Sequence, residues 1–169
     1  MNKQTMMVCL FSVGLAFGVS AQQQKVKPFQ ASLTPDIAVC DRGDRIEGVA
    51  LSIWGENSQS AFALGFVNGS NGDSSGLSWG FWGNYAESYT GVQLGIVNYA
   101  SKSLKGLQLG CVNLTKELNG VQWGLVNYAE TAKAGVQVGL VNILPENQEW
   151  FAKLPNELAP GMIFVNWHF

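Results

Sequence analysis

One eight-residue phrase recurs along this chain at a nearly constant spacing. Its clearest copies have the form Gly-Val/Leu-Gln-x-Gly-x-Val-Asn and start at Gly91, Gly106, Gly120 and Gly135, in steps of 15, 14 and 15 residues. Weaker copies start at positions 48, 61 and 76, so that the phrase occupies most of residues 48–142. Repetition at a fixed period predicts an architecture in which one short structural unit is used many times.

Large apolar residues alternate with small or polar residues inside each copy. In the copy that starts at Gly91, Val92, Leu94 and Ile96 lie on one side of an extended chain, and Gln93 and Gly95 lie on the other. A period of two residues is typical of a β-strand. Each copy therefore predicts one strand with a uniformly apolar face.

The links between copies are short and polar, as in residues 101–105 and 115–119. Links of this size favour hairpins between antiparallel neighbours, because parallel neighbours in an ordinary sheet need crossovers of about a dozen residues or more. The predicted fold is all-β: a repeat-built antiparallel meander that closes into a small shallow β-barrel. The alternative is a parallel β-solenoid that coils once per repeat.

Three segments are predicted along the chain. Residues 1–21 resemble a secretory signal peptide, with Lys3 before an apolar run and small residues up to Ala21, so that cleavage is expected before Gln22. The apolar run is shorter than the ~20 residues of a membrane span. Residues 22–47 form an N-terminal segment without the phrase, and residues 48–169 form the repeat-built β domain.

The charge of residues 22–169 limits the classes of partner that the chain can bind. Residues 22–169 contain nine lysines and arginines against twelve acidic residues, which argues against nucleic acid as a partner because phosphate binding needs a basic face.

An exported chain can oxidise Cys40 and Cys111. However, Cys111 takes an apolar position of the phrase, which favours a small buried hydrophobic residue over a disulfide.

No recognisable catalytic constellation occurs in the sequence, so we expect a protein that is not an enzyme and that has no catalytic, cofactor-binding or metal site. The acidic residues are scattered, and the single histidine, His168, adjoins the C-terminus. A secreted enzyme of unknown type remains an alternative, with a site at the insertion 145–160 that includes Glu146 and Glu149. The insertion also predicts two helical turns over residues 146–154.

Two rows of side chains are candidates for a functional site. The first is a row of glutamines that either sets the strand register through a hydrogen-bonded ladder or faces a ligand: Gln93, Gln108, Gln122 and Gln137. The second is a set of rim aromatics that directly follow an asparagine: Tyr85, Tyr99 and Tyr128. The asparagines themselves are typical of turns or bulges with positive φ.

The run Gly-Val-Gln-x-Gly-Leu-Val-Asn-Tyr-Ala, repeated every 14 to 15 residues, resembles the surface-repeat proteins of diderm bacteria. It is also similar to the β-flower folds, which are shallow symmetric barrels with hairpin petals. The resemblance covers residues 48–142. It implies a location in the cell envelope, and it implies no established activity or functional residues.

These observations predict an exported, non-enzymatic protein of the periplasm, outer membrane or cell surface, with a binding or structural role at a lipid surface, an apolar ligand or another envelope component. Tyrosines and tryptophans beside a wide apolar face favour a membrane interface. A small integral outer-membrane β-barrel is the alternative, because residues 161–169 alternate and end on Phe169. The oligomeric state stays open.

Overall fold

The computed structural model describes residues 24–169 and consists of nine strands joined into a single sheet that is wound into a coil. The predicted signal peptide, residues 1–21, lies outside the described residues. The strands are β1 Val26–Thr34, β2 Ile37–Ala38, β3 Arg45–Gly55, β4 Ser60–Gly69, β5 Asp73–Leu94, β6 Val97–Leu109, β7 Val112–Trp123, β8 Val126–Ile143 and β9 Gly161–His168.

Strands β3 to β8 pair in parallel, each with the next strand along the chain. Equivalent phrase positions face each other, so that Gly91 pairs with Gly106 and Gly106 pairs with Gly120. The chain therefore forms a parallel β-solenoid of about seven turns, one turn per repeat.

The all-β prediction is confirmed, whereas the predicted antiparallel meander and shallow barrel are wrong. The solenoid that the sequence left as the alternative is the observed fold. The physical reason is that each repeat is its own crossover: a turn of 14 or 15 residues is long enough to return a strand to its parallel neighbour. The short links are continuations of the strands and not hairpin loops; residues 101–105, for example, lie inside β6.

Glycines occupy the sharp corners of the coil. Gly91, Gly106 and Gly120 have φ values of 132°, 132° and 142°, in a backbone region that residues other than glycine rarely adopt. At Gly110, in the second corner, an added Cβ would collide with the carbonyl oxygen of Gly95 in the turn below. The asparagines of the phrase, predicted at positive φ, are not among the positive-φ residues, so this expectation is wrong.

Both ends of the coil depart from the repeat. At the first end, residues 24–44 contribute β1 and β2, which pair antiparallel with each other, while β1 pairs in parallel with β3. At the other end, β9 reverses direction and pairs antiparallel with β8. Such atypical end strands cap a solenoid and limit pairing with further chains. The segment between β8 and β9 forms turns, so the predicted helix over 146–154 is wrong.

The interior of the coil is narrow and is filled by small and medium side chains together with amides. One apolar cluster contains Tyr89, Leu104, Leu118 and Leu144 with four alanines, and its members are at most 5 % exposed. A smaller cluster at the first end contains Ile46, Ala50 and Ala63. The large apolar residues of the phrase belong to neither cluster, which means that they face outwards.

Candidate functional site: an uncharged apolar face

The glutamine row lies inside the coil. Gln93, Gln108, Gln122 and Gln137 are each at most 1 % exposed. The Nε2 atoms of Gln108, Gln122 and Gln137 each donate to the Oε1 of the glutamine one turn earlier, at 2.9 Å in all three pairs. The amides therefore bond mainly to one another, and a ligand in solution has no access to them.

The asparagine row forms a second interior ladder. The Nδ2 atoms of Asn84, Asn98, Asn113 and Asn127 each donate to the Oδ1 of the asparagine one turn later, at 2.8–2.9 Å. Asn98, Asn113 and Asn127 also donate to backbone carbonyls near the corner, at 2.9–3.0 Å. Identical residues in register satisfy each other's donors and acceptors, so a fully paired amide column can be buried.

The asparagines were predicted as turn or bulge residues, and their role in an interior ladder was not predicted. Strict alternation shows that two faces differ, but it does not show which face is inside. A usable signal was the identity of the third and eighth positions in the four clearest copies, both of which are always amides. The outward positions vary among valine, leucine, isoleucine, tryptophan and cysteine, because they need no partner in register.

The apolar residues of the phrase form the outer surface of the coil. We define the apolar face as the second, fourth and sixth residues of the seven phrase copies. The sixth-position residues are all exposed, with Phe81 55 %, Leu125 52 % and Leu140 57 % exposed. Trp79 and Trp123, at the fourth position, are 46 % and 60 % exposed. The seventh position continues the surface around the corner with Trp54, Trp82, Val97 and Val141.

Charge is absent from this face. Nine charged residues occur between positions 48 and 144, and all nine fall in the links: Glu56, Asp73, Glu87, Lys102, Lys105, Lys116, Glu117, Glu130 and Lys133. On the charged side, Lys102 pairs with Glu87 and Lys133 pairs with Glu117 between neighbouring turns. The coil is therefore two-sided, with an uncharged apolar face and a side of mixed charge.

Apolar grooves extend this face at both ends of the coil. At the first end, the β1–β2 hairpin and β3 form a groove of about 520 Å³ whose walls include Leu33, Ile37 and Ile53. At the last end, a groove of about 380 Å³ is lined mainly by apolar residues, among them Val141, Trp150 and Ile163. Ile53, which lines the first groove, belongs to the apolar face. Val141, which lines the second groove, lies at the corner next to the apolar face. The apolar surface therefore continues onto both caps.

The three candidate tyrosines lie in one column beside the corner. Tyr85 pairs with Tyr99, Tyr99 with Leu114, and Leu114 with Tyr128 in the parallel register. Tyr85 accepts a hydrogen bond from Trp54 Nε1 at 3.3 Å and donates to Glu56 Oε1 at 2.7 Å. Partial burial, reinforced by the Glu56 carboxylate and opposed by the Trp54 hydrogen bond, raises the pKa of Tyr85 to about 12.

The residues of the alternative enzyme site take part in the C-terminal cap. Glu146 Oε2 accepts a hydrogen bond from the Ala132 backbone at 2.6 Å, and His168 Nδ1 lies 2.7 Å from Asn147 Oδ1. Glu149 is exposed and lies in a turn. Within residues 24–169, three or more of His, Cys, Asp and Glu are nowhere grouped as metal ligands would be.

The two cysteines that follow the signal-like segment are not bonded to each other. Cys111 is exposed on the apolar face, so the expectation that it is buried is wrong. Cys40 is half-buried beside the first-end cluster, and its Sγ donates to the Phe29 carbonyl at 3.3 Å.

The part of the chain that the structure describes contains no helix long and apolar enough to span a membrane. Comparison of the whole chain with protein-family models, with curated proteins and with solved structures finds no match.

Proposed function

We propose that this chain is a non-enzymatic, exported protein of the bacterial cell envelope that binds an apolar partner through the apolar face. The observation that carries the proposal is the segregation of charge. Seven consecutive turns present large apolar side chains outwards, and the nine charged residues of the same span all lie elsewhere on the coil.

The size of the apolar face supports a binding role. Seven turns at a strand spacing of ~4.8 Å extend the face to ~30 Å, and five residues at ~3.3 Å each give a width of ~16 Å. The product is on the order of 500 Å², near the upper end of the largest apolar patch on an ordinary monomer, and such patches often mark binding sites. The end grooves enlarge the apolar surface further.

The export part of the proposal is supported by the signal-like residues 1–21, and the envelope location by the resemblance of the phrase to bacterial surface-repeat proteins. Charged residues make up only 13 % of the chain, which is consistent with much half-buried or partner-facing surface, and the net charge of −2 argues against nucleic acid as the partner.

A dye that becomes fluorescent on apolar surfaces tests the binding role directly. The variant Leu125→Lys/Leu140→Lys places two charges on the apolar face at side chains that are 52 % and 57 % exposed. The matched control, Ala134→Lys/Asn156→Lys, adds the same charge at exposed positions that do not belong to that face. We expect the dye signal to fall several-fold in the face variant and to stay unchanged in the control.

Circular dichroism of both variants shows whether the coil is intact. An equal dye signal from the folded parent and the folded face variant would contradict the proposed function. Cell fractionation tests the location, and recovery of the chain from the cytoplasmic fraction alone would contradict export.

A further inference from the structure

Most of the backbone beneath the apolar face of β5 to β8 is engaged in hydrogen bonds between turns. The second to fourth positions lie in the continuous parallel ladders of β5 to β8. Even at the corner between strands, the N–H groups of Gly110, Cys111 and Leu125 donate to backbone carbonyls of neighbouring turns, at 2.9–3.0 Å. A surface with satisfied backbone groups can lie against hydrocarbon without the cost of bare peptide groups.

The side chains of the face argue against a protein partner. Specific protein interfaces carry about one hydrogen bond per 100–200 Å². A face on the order of 500 Å² would therefore need about three to five hydrogen-bonding groups. Its side chains offer only the indoles of Trp79 and Trp123 and the weakly polar thiol of Cys111.

The area of the face also argues against a second copy of the chain. A stable dimer buries about 800 Å² on each partner, which is more than the order of 500 Å² that the apolar face supplies without the end grooves. The side of mixed charge adds no apolar area, because its exposed side chains include Lys102, Lys116 and Lys133.

Aromatic residues with a polar atom are placed as a membrane interface requires. Trp79, Trp82 and Trp123 are 46 %, 65 % and 60 % exposed on the apolar face and its corner. The tyrosine column starts two residues beyond that corner, and Tyr99 is 45 % exposed. Indole and phenol groups favour the boundary between hydrocarbon and headgroups, since the ring is apolar and the N–H or O–H bonds to the headgroup region.

We propose that the occupant of the apolar face is a lipid bilayer. This inference rests on the proposed function and names its partner. The coil lies along one leaflet with its axis in the membrane plane: the apolar face enters the hydrocarbon boundary, the tyrosine column contacts the headgroups, and the charged side stays in water. The chain binds from one side and does not cross the membrane.

The charge of the links predicts how lipid composition and salt affect this binding. The links that face away from the bilayer contain four lysines and five acidic residues between positions 48 and 144. The coil therefore has no basic surface to attract anionic headgroups. Binding to vesicles of neutral phosphatidylcholine should be as strong as binding to vesicles with added anionic lipid, and salt should change it less than twofold.

The test uses the chain without residues 1–21 and neutral phosphatidylcholine vesicles, with and without bromine on the acyl chains. We expect the protein to sediment with the vesicles and brominated chains to quench its tryptophan fluorescence. Leu125→Lys/Leu140→Lys should lower the partition coefficient about tenfold or more, whereas Ala134→Lys/Asn156→Lys should leave it within twofold.

Analytical ultracentrifugation of the same proteins separates the possible outcomes. A dimer that the face variant dissociates, together with no vesicle binding, would overturn the lipid proposal and leave the proposed binding function standing. Vesicle binding that the face variant does not weaken would overturn the placement of the apolar face. No vesicle binding, no self-association and no dye signal from the folded parent would overturn both proposals.

Discussion

Replacement of Asn113 by alanine tests the interior asparagine ladder most sharply. Asn113 is 0 % exposed and makes three hydrogen bonds. Its Nδ2 donates to Trp123 O at 3.0 Å and to Asn127 Oδ1 at 2.9 Å, and its Oδ1 accepts from Asn98 Nδ2 at 2.9 Å. All three bonds are lost in the variant.

The groups left behind set the size of the effect. Asn98 Nδ2 keeps its bond to Leu109 O at 2.9 Å, and Trp123 O still accepts from the Gly110 N–H at 3.0 Å. Asn127 Oδ1 has no remaining partner and stays buried. Three bonds at about 1 kcal/mol each, with about 1 kcal/mol more for the orphaned oxygen, predict a loss of about 4 kcal/mol in the free energy of unfolding.

Urea unfolding followed by circular dichroism measures this loss. The control is Asn71→Ala in the exposed turn between β4 and β5, which should change the free energy of unfolding by less than about 0.5 kcal/mol. A loss below about 1 kcal/mol for Asn113→Ala, similar to that of the control, would refute the ladder, because a buried amide with three partners cannot be removed at so small a cost.

Three further predictions concern single positions. Gly110→Ala should lower the free energy of unfolding by at least about 2 kcal/mol, because the new Cβ meets the Gly95 carbonyl and Asn98 Nδ2. The control Gly43→Ala, whose Cβ has nothing within 4 Å, should be near neutral. Equal effects of the two variants in urea unfolding would contradict the tight corner. Tyr85→Phe should remove a phenolate absorbance step centred near pH 12, since burial raises the pKa of Tyr85 to about 12. The stabilisation linked to the neutral phenol is complete below the unfolded pKa of about 10 and is lost as the pH rises towards about 12. If Tyr85→Phe instead removed an absorbance step near the ordinary tyrosine pKa of about 10, the raised pKa of Tyr85 would be contradicted. A thiol reagent should modify Cys111 faster than Cys40 in the folded protein without residues 1–21, because Cys111 is exposed and Cys40 is half-buried; peptide mapping that finds the reverse order would contradict the outward position of Cys111.

The period and the alternation were sufficient to predict an all-β chain built from one strand per repeat. They were not sufficient to choose between antiparallel and parallel neighbours. A link such as residues 101–105 has the length of a hairpin loop, and the difference appears only when the whole repeat is counted as the crossover. The register of identical residues, with Gln93 beside Gln108, is the feature that a parallel coil explains and an alternating meander does not.

The inward face was the harder problem. Leucine and valine are usually buried and glutamine is usually exposed, so the sequence favours an apolar interior. In this coil the amides of the phrase lie inside, because amides such as Gln108 and Asn113 find identical partners one turn away and keep hydrogen bonds on burial. The apolar residues, which need no partner, are then left outside, and the candidate site is a consequence of the ladders inside.

The tyrosines lie at a definite place on the coil. Their positions directly after an asparagine predict a rim, and the structure places Tyr85, Tyr99 and Tyr128 in one column at the edge of the apolar face. The hydrogen bonds of Tyr85 to Trp54 and Glu56 cross from one turn to another over 31 and 29 residues, and such contacts cannot be read from local pattern.

The side-chain amide protons of Gln108 give the most direct test of a parallel coil with amides inside. In a nuclear Overhauser spectrum they should show contacts to the side chains of both Gln93 and Gln122, and they should exchange with deuterated water far more slowly than the amide protons of the exposed Gln148. Exchange as fast as that of Gln148, with contacts to neither glutamine, would contradict the account.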